Sequence, residues 1–266
     1  MLALFRHWPR KGIDQFGNVN WLAVHAYASQ RLRARYAGSV LGEFWLVATT
    51  AVFLLAVALV WSMLWRISLD EYFAYFATGF IFYTFVAGTM NEAAGAIIGD
   101  SRLYLNSKQS PMFSVFAHIY RGILSFSHHL VIVVFVALFF ASTSFSGIAI
   151  TVFGTLLCVL FLVPSCYMLG MLSVRYRDLL HVIHSIFQIL FLVTPVMWRI
   201  DRVPEAYQVW VFVNPVASFL NITRDAFLNL PVYREAVVSA LIWTLAAWMV
   251  HCFLAPRLEK HFTLWL

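Results

Sequence analysis

Residues 175–198, RYRDLLHVIHSIFQILFLVTPVMW, place a compact basic turn in front of a long apolar run. After Asp178 no residue from Leu179 to Trp198 carries a formal charge, and this length matches one helical crossing of a bilayer at ~1.5 Å per residue. Thr194-Pro195 is expected to disrupt the helix near its far end, because proline removes a backbone donor and crowds the preceding turn. The stretch therefore predicts a membrane-spanning helix that ends in a kink.

The polar side chains of this run follow the spacing i, i+3, i+4, i+7 and so share one helical face: His181, His184, Ser185 and Gln188. Leucine, isoleucine, phenylalanine and valine cover the rest of the helix. Polar residues inside a membrane helix usually face the protein interior or a water-filled cavity. We predict that this face lines a transport pathway and contacts the transported substrate.

The whole chain has the composition of an integral membrane protein. Of its 266 residues, 62% are hydrophobic and 11% are charged, whereas soluble domains average roughly 45–50% apolar and about 25% charged residues. The net charge of +6 is spread over helix ends, so no nucleic-acid partner is expected. The three cysteines lie in apolar runs without metal-type spacing, and no bound metal or cofactor is expected.

Runs without formal charge predict where the chain crosses the membrane. Six spans result, at about 44–65, 72–91, 122–141, 147–174, 179–198 and 236–256. They form one membrane domain over 44–256, between an N-terminal segment (1–43) and a tail (257–266). If the N-terminus is cytoplasmic, the inner segments hold 13 Lys and Arg residues and the outer ones 5, so the positive-inside rule places both termini in the cytoplasm.

The last predicted outer segment, Arg199–Glu235, contains an uncharged run over Ala206–Thr223. Asn214-Pro215 divides that run into two halves, each too short to cross a bilayer. Irregular backbone at membrane depth is tolerated only where protein or a water-filled cavity satisfies its polar groups. We therefore predict short re-entrant or interfacial helices over 199–235 that form an outer hairpin beside a pathway.

Trp21–Val40 predicts an amphipathic helix ahead of the first span. Arg31 and Arg33 flank its apolar face, and Arg35 falls on the apolar side. The apolar face consists of Trp21, Val24, Ala28, Leu32 and Tyr36. This is the pattern of a helix lying in the membrane surface with its apolar face down and its arginines reaching towards headgroups.

The sequence lacks the residues of an energy-converting site. Nothing matches the phosphate-binding loop G-x-x-x-x-G-K-[ST]. No acidic residue lies within the six predicted spans, where an ion-coupled transporter would usually keep at least one. We therefore expect the energy to come from a partner. The adjacent His128 and His129 are expected to make polar contacts between helices rather than to bind a metal.

The predicted cytoplasmic loop between spans two and three offers a docking site for such a partner. Gly99–Lys108 predicts a short helix parallel to the membrane, capped by Asp100 or Ser101 and stopped by Ser110-Pro111. Two interpretations stay open at this point: a helix that transmits force from a cytosolic motor subunit, or a solvated loop.

Span two carries an aromatic face formed by Tyr72, Tyr75, Phe76 and Tyr83. One interpretation is a membrane-interface belt with lipid-facing phenylalanines. The other is a set of ring faces on which sugars stack, with tyrosine hydroxyls as hydrogen-bond donors.

Four stretches in this order resemble one known family, the membrane subunit of ABC-2 type exporters that move O-antigen, capsule or teichoic-acid polymers. RARYAGSVLG (33–42) followed by Phe44-Trp45 resembles the family's interface segment, and Lys108 with Pro111 resembles the end of its coupling helix. Residues 175–178 with 194–198 resemble its fifth-span signature, and Asn214-Pro215 followed by Arg224 resembles its external gate. The similarity covers roughly residues 21–256.

This resemblance implies an all-α homodimer of six-span subunits in a bacterial inner membrane, paired with two copies of a separate subunit that binds ATP and Mg²⁺. It implies outward transport of a polysaccharide attached to polyisoprenyl diphosphate or a similar lipid. Arg35 and Tyr36 would meet the lipid diphosphate, and Asn214, Pro215 and Arg224 would form the outer gate. Coupling to the ATP-binding subunit would use Asp100, Arg102, Leu103, Tyr104 and Lys108.

Two alternatives stay open. An ABC-2 exporter of a drug or small molecule would share these stretches. A multi-pass enzyme acting on lipid-linked sugars would need an acid–base cluster at one membrane face. The outer acidic residues are spread along a loop without a partner histidine: Asp201, Glu205, Asp225 and Glu235.

Overall fold

The computed structural model describes residues 19–106, 110–140 and 143–265, and over these ranges the protein is all-α. Three parts of the predictions lie outside these ranges: the segment before residue 19, Lys108 and the last residue of the predicted span 122–141. The described α-helices are α1 (Trp21–Arg35), α2 (Phe44–Trp65), α3 (Leu69–Gly99), α4 (Ser101–Asn106), α5 (Pro111–Phe139), α6 (Phe145–Arg175), α7 (Leu179–Val193), α8 (Glu205–Val211), α9 (Pro215–Leu220), α10 (Arg234–Glu259) and α11 (Phe262–Trp265).

Five of the described helices are long and apolar enough to cross a membrane, namely α2, α3, α5, α6 and α10. The predicted fifth span, 179–198, is shorter as a helix than its charge-free run, since α7 ends at Val193 with Thr194 as its C-cap. Pro195 follows, and proline has no backbone N–H with which to continue the helix. The count of full-length helices in the described chain is therefore five rather than six.

The α3 helix runs well beyond the predicted limits of its span. The α3 helix begins at Leu69, where the Ser68 side chain caps it, and continues to Gly99 instead of stopping near residue 91. It passes through Glu92 because that carboxylate is paired with Arg121 of α5, 2.5 Å away. Charge-free runs thus locate apolar segments, whereas helix ends depend on caps and ion pairs.

The α3 helix is the centre of the bundle and packs against α2, α5, α6 and α7. Within its most apolar 18 residues, 83% are buried, whereas the corresponding figure for α2 is 11%. The α7 helix likewise buries only Ile183 and Phe187. Within one chain the outward face of α2 is apolar and uncovered, and α7 exposes apolar residues beside its polar face, as membrane-facing or subunit-facing helices do.

The amphipathic helix α1 differs from its prediction in what covers its apolar face. Val24, Ala28 and Leu32 are buried, and α1 packs against α5. Trp21 packs against Phe116 of α5 with the rings tilted and their centroids 4.8 Å apart, although Trp21 remains exposed. The prediction of an apolar face directed at lipid is therefore corrected, because a protein surface covers much of it.

The α3 helix runs from one end of the bundle to the other, and the two ends differ in their chemistry. The start of α3 lies beside the segment that follows α7, and α3 also contacts α9; we call this end, together with the short helix α8, the hairpin end. The last residue of α3 lies beside α1, α4 and the start of α5, which we call the interface-helix end.

Candidate functional site

The polar face predicted on α7 is present and open within one chain. His181, His184, Ser185 and Gln188 are all exposed, and Gln188 Nε2 lies 3.0 Å from His184 Nε2. The buried residues of the helix lie on another side of it. The structure thus brings the four residues together, and no other part of the described chain covers them.

The predicted aromatic face of α3 packs against α7 and the segment after it. The hydroxyl of Tyr83 donates to the carbonyl of Phe187, and that of Tyr72 donates to the carbonyl of Met197 at 3.1 Å. Tyr75 donates to the carbonyl of Trp198 at 2.9 Å. The bonds of Tyr72 and Tyr75 satisfy carbonyls of the non-helical segment that follows α7.

Their rings are buried among other rings in the same region. Phe76 stacks on Tyr72 with centroids 5.9 Å apart, and Tyr83 makes an edge contact with Phe191 of α7. Within one chain the face therefore joins two helices. Its use in binding a substrate stays a prediction.

At the hairpin end, one buried cation joins three elements. Arg224 follows α9 in a short π-helical turn (Asn221–Asp225) and is only 1% exposed. Its Nε donates to Asp225 Oδ1 at 2.6 Å, and its Nη1 donates to the carbonyl of Pro195. Its guanidinium lies 3.8 Å from the centre of the Tyr75 ring, which adds a cation–π contact.

The carboxylate that neutralises Arg224 is held in turn by Asn221. Asn221 Nδ2 donates to Asp225 Oδ2 and to the carbonyl of Pro231, while its Oδ1 accepts from the backbone N–H of Tyr233. We call Tyr75, Asn221, Arg224 and Asp225 the Arg224 cluster. Sequence reasoning selected Arg224 but missed Asn221, although the spacing i, i+4 to Asp225 places both on one helical face.

The other predicted gate residues lie beside this cluster. Asn214 caps α9 through a hydrogen bond from the Val216 N–H, and Pro215 occupies the first helical position. The Asn214 Nδ2 group also donates to Thr194 Oγ1 at 2.8 Å. Both Asn214 and Arg224 therefore bind the kink at 194–195, and the hairpin is fastened to the end of α7.

At the interface-helix end, a buried carboxylate joins α1, α3 and α5. The Asp100 side chain is fully buried and accepts hydrogen bonds from three groups, each at 2.5–2.6 Å. The donors are Tyr27 and Arg31 of α1 and Ser114 of α5. His118 Nε2 lies 3.8 Å from the same carboxylate. We call these five residues the Asp100 cluster.

The ionisation of this cluster follows from its contacts. Burial acts to raise the pKa of Asp100, but the neighbouring His118, the hydroxyls of Ser114 and Tyr27 and the charge of Arg31 outweigh it and lower that pKa to about 2. Burial and the bond to the carboxylate raise the pKa of Tyr27 to about 12. At neutral pH the cluster therefore holds a carboxylate and a neutral phenol.

Asp100 does not cap α4, which was one of its predicted roles, because its side chain is occupied by α1 and α5. The predicted coupling residue Tyr104 reaches the same region, since its hydroxyl donates to Ser114 and its ring contacts Phe262. Arg102 is exposed. Lys108 and the side chain of Leu103 lie outside the described residues.

Arg35 lies exposed at the end of α1, with Tyr36 half-buried as the C-cap. Arg35 Nη1 is 4.0 Å from Glu92 Oε1, and the same carboxylate binds Arg121 at 2.5 Å. One carboxylate thus faces two guanidinium groups, which leaves positive charge beside it. This arrangement can bind an anion such as a phosphate through the exposed Arg35.

The histidine pair makes contacts between helices, as predicted. His128 Nε2 lies 3.1 Å from Glu43 Oε2, and His129 Nε2 lies 3.0 Å from Thr50 Oγ1 of α2. Within the described residues no group of three or more metal-ligating side chains is present.

The acidic residues that an enzyme would need are dispersed. Asp225 is buried against Arg224, and Asp201 is paired with Arg199 at 3.2 Å. Neither carboxylate shares its site with a histidine in the described contacts. The geometry does not assemble an acid–base pair there.

Comparison with known proteins adds a family and several relatives. The profile of the family described as ABC-2 type transporter matches residues 23–228. An O-antigen export system permease protein RfbA of Klebsiella pneumoniae is 24% identical over 202 residues, which cover 74% of this chain and 77% of that protein. A protein of the same name from Myxococcus xanthus is 20% identical over 236 residues, covering 87% and 90% of the two chains.

Proposed function

The chain belongs to the ABC-2 type transporter family, and on this premise we propose that it is the permease subunit of an ATP-driven exporter of a lipid-linked polysaccharide. The observation that carries the proposal is the likeness, along about three quarters of the chain, to proteins named O-antigen export permeases. In this proposal the chain is the transport subunit, as its family favours, and a separate subunit hydrolyses ATP.

In the proposed topology the chain crosses the bacterial inner membrane six times, with both termini in the cytoplasm. The fifth crossing combines α7 with the turn segment 194–198, in which tyrosines of α3 satisfy the carbonyls of Met197 and Trp198. The hairpin end then faces outward and the interface-helix end faces the cytoplasm. The excess of Lys and Arg in the cytoplasmic segments supports this orientation.

The motor in this proposal is a separate ATP-binding subunit, present in two copies and holding ATP and Mg²⁺. A second copy of the permease completes the pathway. Docking uses α4, and the Asp100 cluster supports a mechanical role for it, because the cluster ties α1, the end of α3 and the start of α5 directly beside α4. Movement of α4 would therefore be transmitted to two long helices.

The substrate would enter at Arg35 and Tyr36, where an always-charged guanidinium suits a lipid diphosphate. Its glycan would pass along the polar face of α7 and the aromatic residues Tyr72, Tyr75, Phe76 and Tyr83. The outer gate would be formed by Asn214, Pro215 and Arg224. The small-molecule alternative shares the motor but makes no use of a diphosphate site.

The test is ATP hydrolysis by the permease purified with its ATP-binding subunit, in the presence of a polyisoprenyl-diphosphate-linked glycan. We expect turnover to need both subunits and to rise with the glycan. Arg35→Ala should lose the glycan response, whereas Arg33→Ala, an exposed arginine two residues earlier, should keep it. If the subunits do not copurify, or the lone permease turns over the glycolipid, the proposal is wrong.

A further inference from the structure

A cavity of about 380 Å³ opens at the hairpin end between the end of α2, the start of α3 and the segment after α7. Its volume falls within the ~300–1,000 Å³ usual for small-molecule sites. Four aromatic side chains line it: Trp65, Tyr72, Tyr75 and Trp198. The rest of the lining consists of one aliphatic side chain, Ile67, and three charged ones: Glu71, Arg199 and Arg202.

The aromatic walls are held in place by their own contacts. Tyr72 and Tyr75 are fixed through their hydroxyls, as described above, and Trp198 Nε1 donates to the carbonyl of Leu192 at 2.9 Å. Trp65 makes an edge contact with Tyr72, with centroids 5.8 Å apart. The polar tips of three rings are thus used within the protein, and ring surface remains for an apolar ligand face.

The charged side of the cavity is a salt-bridged network with remaining hydrogen-bond capacity. Arg199 Nη1 donates to Glu71 Oε1 at 2.6 Å, and its Nε lies 3.2 Å from Asp201 Oδ2. A guanidinium has five N–H donors and a carboxylate accepts at both oxygens, so each group can also bind a ligand. Glu71 and Arg202 are exposed, so this side meets solvent.

The charges select the class of ligand. Arg199, Arg202 and Glu71 line the cavity, and Asp201, paired with Arg199 outside the lining, adds a second carboxylate. The charges in and beside the cavity therefore balance and do not favour a phosphate headgroup or a cation. The cavity offers adjacent donors and acceptors opposite aromatic rings. Neighbouring hydroxyls on an apolar ring face match that arrangement, which is the chemistry of a pyranose sugar.

We infer that this cavity binds one or two sugar units of the exported glycan, stacked on Trp65 and hydrogen-bonded to Glu71 and Arg199. The inference rests on the proposed function, and it adds a glycan site at the end where the polymer leaves. Tyr75 lies between this site and the gate, because both Arg199 and Arg224 lie over its ring, at 5.7 Å and 3.8 Å. A bound sugar therefore sits one side chain away from the Arg224 cluster.

The test is calorimetric binding of the delipidated O-polysaccharide of the host strain to the full-length permease, reconstituted in nanodiscs with its ATP-binding subunit. We expect Trp65→Leu and Glu71→Gln each to weaken binding about tenfold, since each removes a contact typical of ~1.4 kcal/mol or more. Trp243→Leu is the matched control, because Trp243 and Trp65 are both 39% exposed and Trp243 lies outside this cavity. It should bind as the unchanged protein does.

Failure of this inference is distinguishable from failure of the proposed function. If the unchanged protein exports polymer in cells but does not bind the delipidated polysaccharide, or binds it equally well in all variants, the sugar site is wrong and the exporter stands. If inorganic phosphate binds to the unchanged protein but not to the Glu71→Gln or Trp65→Leu variants, and the polysaccharide does not bind, the sugar site is wrong and the cavity is a headgroup site. Should export itself be absent, the proposed function fails.

Glu71→Gln keeps the inference testable if Trp65→Leu does not fold. It removes one charge from an exposed side chain and leaves the aromatic packing unchanged. A melting temperature equal to that of the unchanged protein, together with unchanged affinity, would overturn the assignment of Glu71 to the sugar.

Discussion

The two ends of the bundle are each held by one buried ion of opposite sign. At the interface-helix end the anion Asp100 is held by side chains of α1 and α5, and one of them, Arg31, is 41% exposed. At the hairpin end the cation Arg224 is held by groups that are themselves buried, namely Asp225, Tyr75 and the carbonyl of Pro195. A partner that already meets water loses little when it separates, because water replaces the lost contact, whereas a buried partner is left as an uncompensated charge or unsatisfied polar group.

This difference in the exposure of the ion's partners indicates which end can move. The Asp100 cluster can open by releasing Arg31 into solvent, so α1 and α4 can shift when a partner pushes on them. The Arg224 cluster has no such release, and it fixes the hairpin to the kink after α7. We infer that the interface-helix end is the more mobile of the two and that the hairpin end is firmly attached to α7.

The largest expected effect comes from breaking the Arg224 cluster on one side only. Asp225→Ala leaves a buried guanidinium without its counter-ion, and such changes destabilise proteins by ~3–5 kcal/mol. The measurement is thermal unfolding of the permease in detergent. Replacing both ions, as in Arg224→Met with Asp225→Leu, should recover much of that loss, and a double variant no better than Asp225→Ala would contradict the ion-pair account.

Asp100→Asn should have a smaller effect on stability. It keeps the shape but weakens charge-assisted hydrogen bonds, each worth ~1.5–3 kcal/mol, and Arg31 can turn to water instead. We expect a loss within that range, together with reduced glycan-stimulated ATPase activity of the complex. The control is Asp178→Asn, since Asp178 is exposed and makes no capping hydrogen bond. An Asp225→Ala loss no larger than the Asp100→Asn loss would remove the contrast between the ends.

Gly79 tests how firmly the Arg224 side chain is held at the hairpin end, because the Gly79 Cα lies close to that side chain. A Cβ at this position would lie 3.2 Å from Cδ and Nη1 of Arg224, whereas a Cβ at Gly88 of the same helix would meet nothing within 4 Å. Both changes to alanine gain helix propensity. Gly79→Ala should therefore unfold about 1 kcal/mol more easily than Gly88→Ala, owing to crowding of the guanidinium. Equal unfolding free energies would show that Arg224 adjusts freely.

Much of the fold followed from local sequence signals. The helix Phe44–Trp65 coincides with its charge-free run, and the kink at Thr194-Pro195 and the break at Asn214-Pro215 lie where proline places them. The extension of α3 past Glu92 was not predictable in this way, because the charge of Glu92 is paired with guanidinium groups of other helices, Arg121 at 2.5 Å and Arg35 at 4.0 Å. Whether a charge ends a membrane segment depends on a partner that the local sequence does not reveal.

The site shows the same limit. The polar face of α7 could be found from helical spacing, and Arg224 from family resemblance. The contacts that assemble the sites join residues far apart in the chain, such as Tyr75 with Arg224 and Tyr27 with Asp100. The cavity beside Glu71 and Arg199 also depends on α2, α3 and the segment after α7 meeting at one point, which no local pattern encodes.

The smallest effect at neutral pH, and the finest test of the contrast, is the acid dependence of the Asp100 cluster. The pKa of Asp100 is lowered from its ordinary 3.8 to about 2, so its ionised form stabilises the fold. That contribution is fully present above pH ~4 and is lost as the pH falls from about 4 through about 2. The difference in unfolding free energy between the unchanged protein and Asp100→Asn should therefore be constant from pH 7 to pH 5 and shrink below pH 4. A difference that is already declining between pH 7 and pH 5 would mean that Asp100 is not held ionised by its hydrogen-bond donors and Arg31, and the Asp100 cluster could not then be the charged counterpart of Arg224.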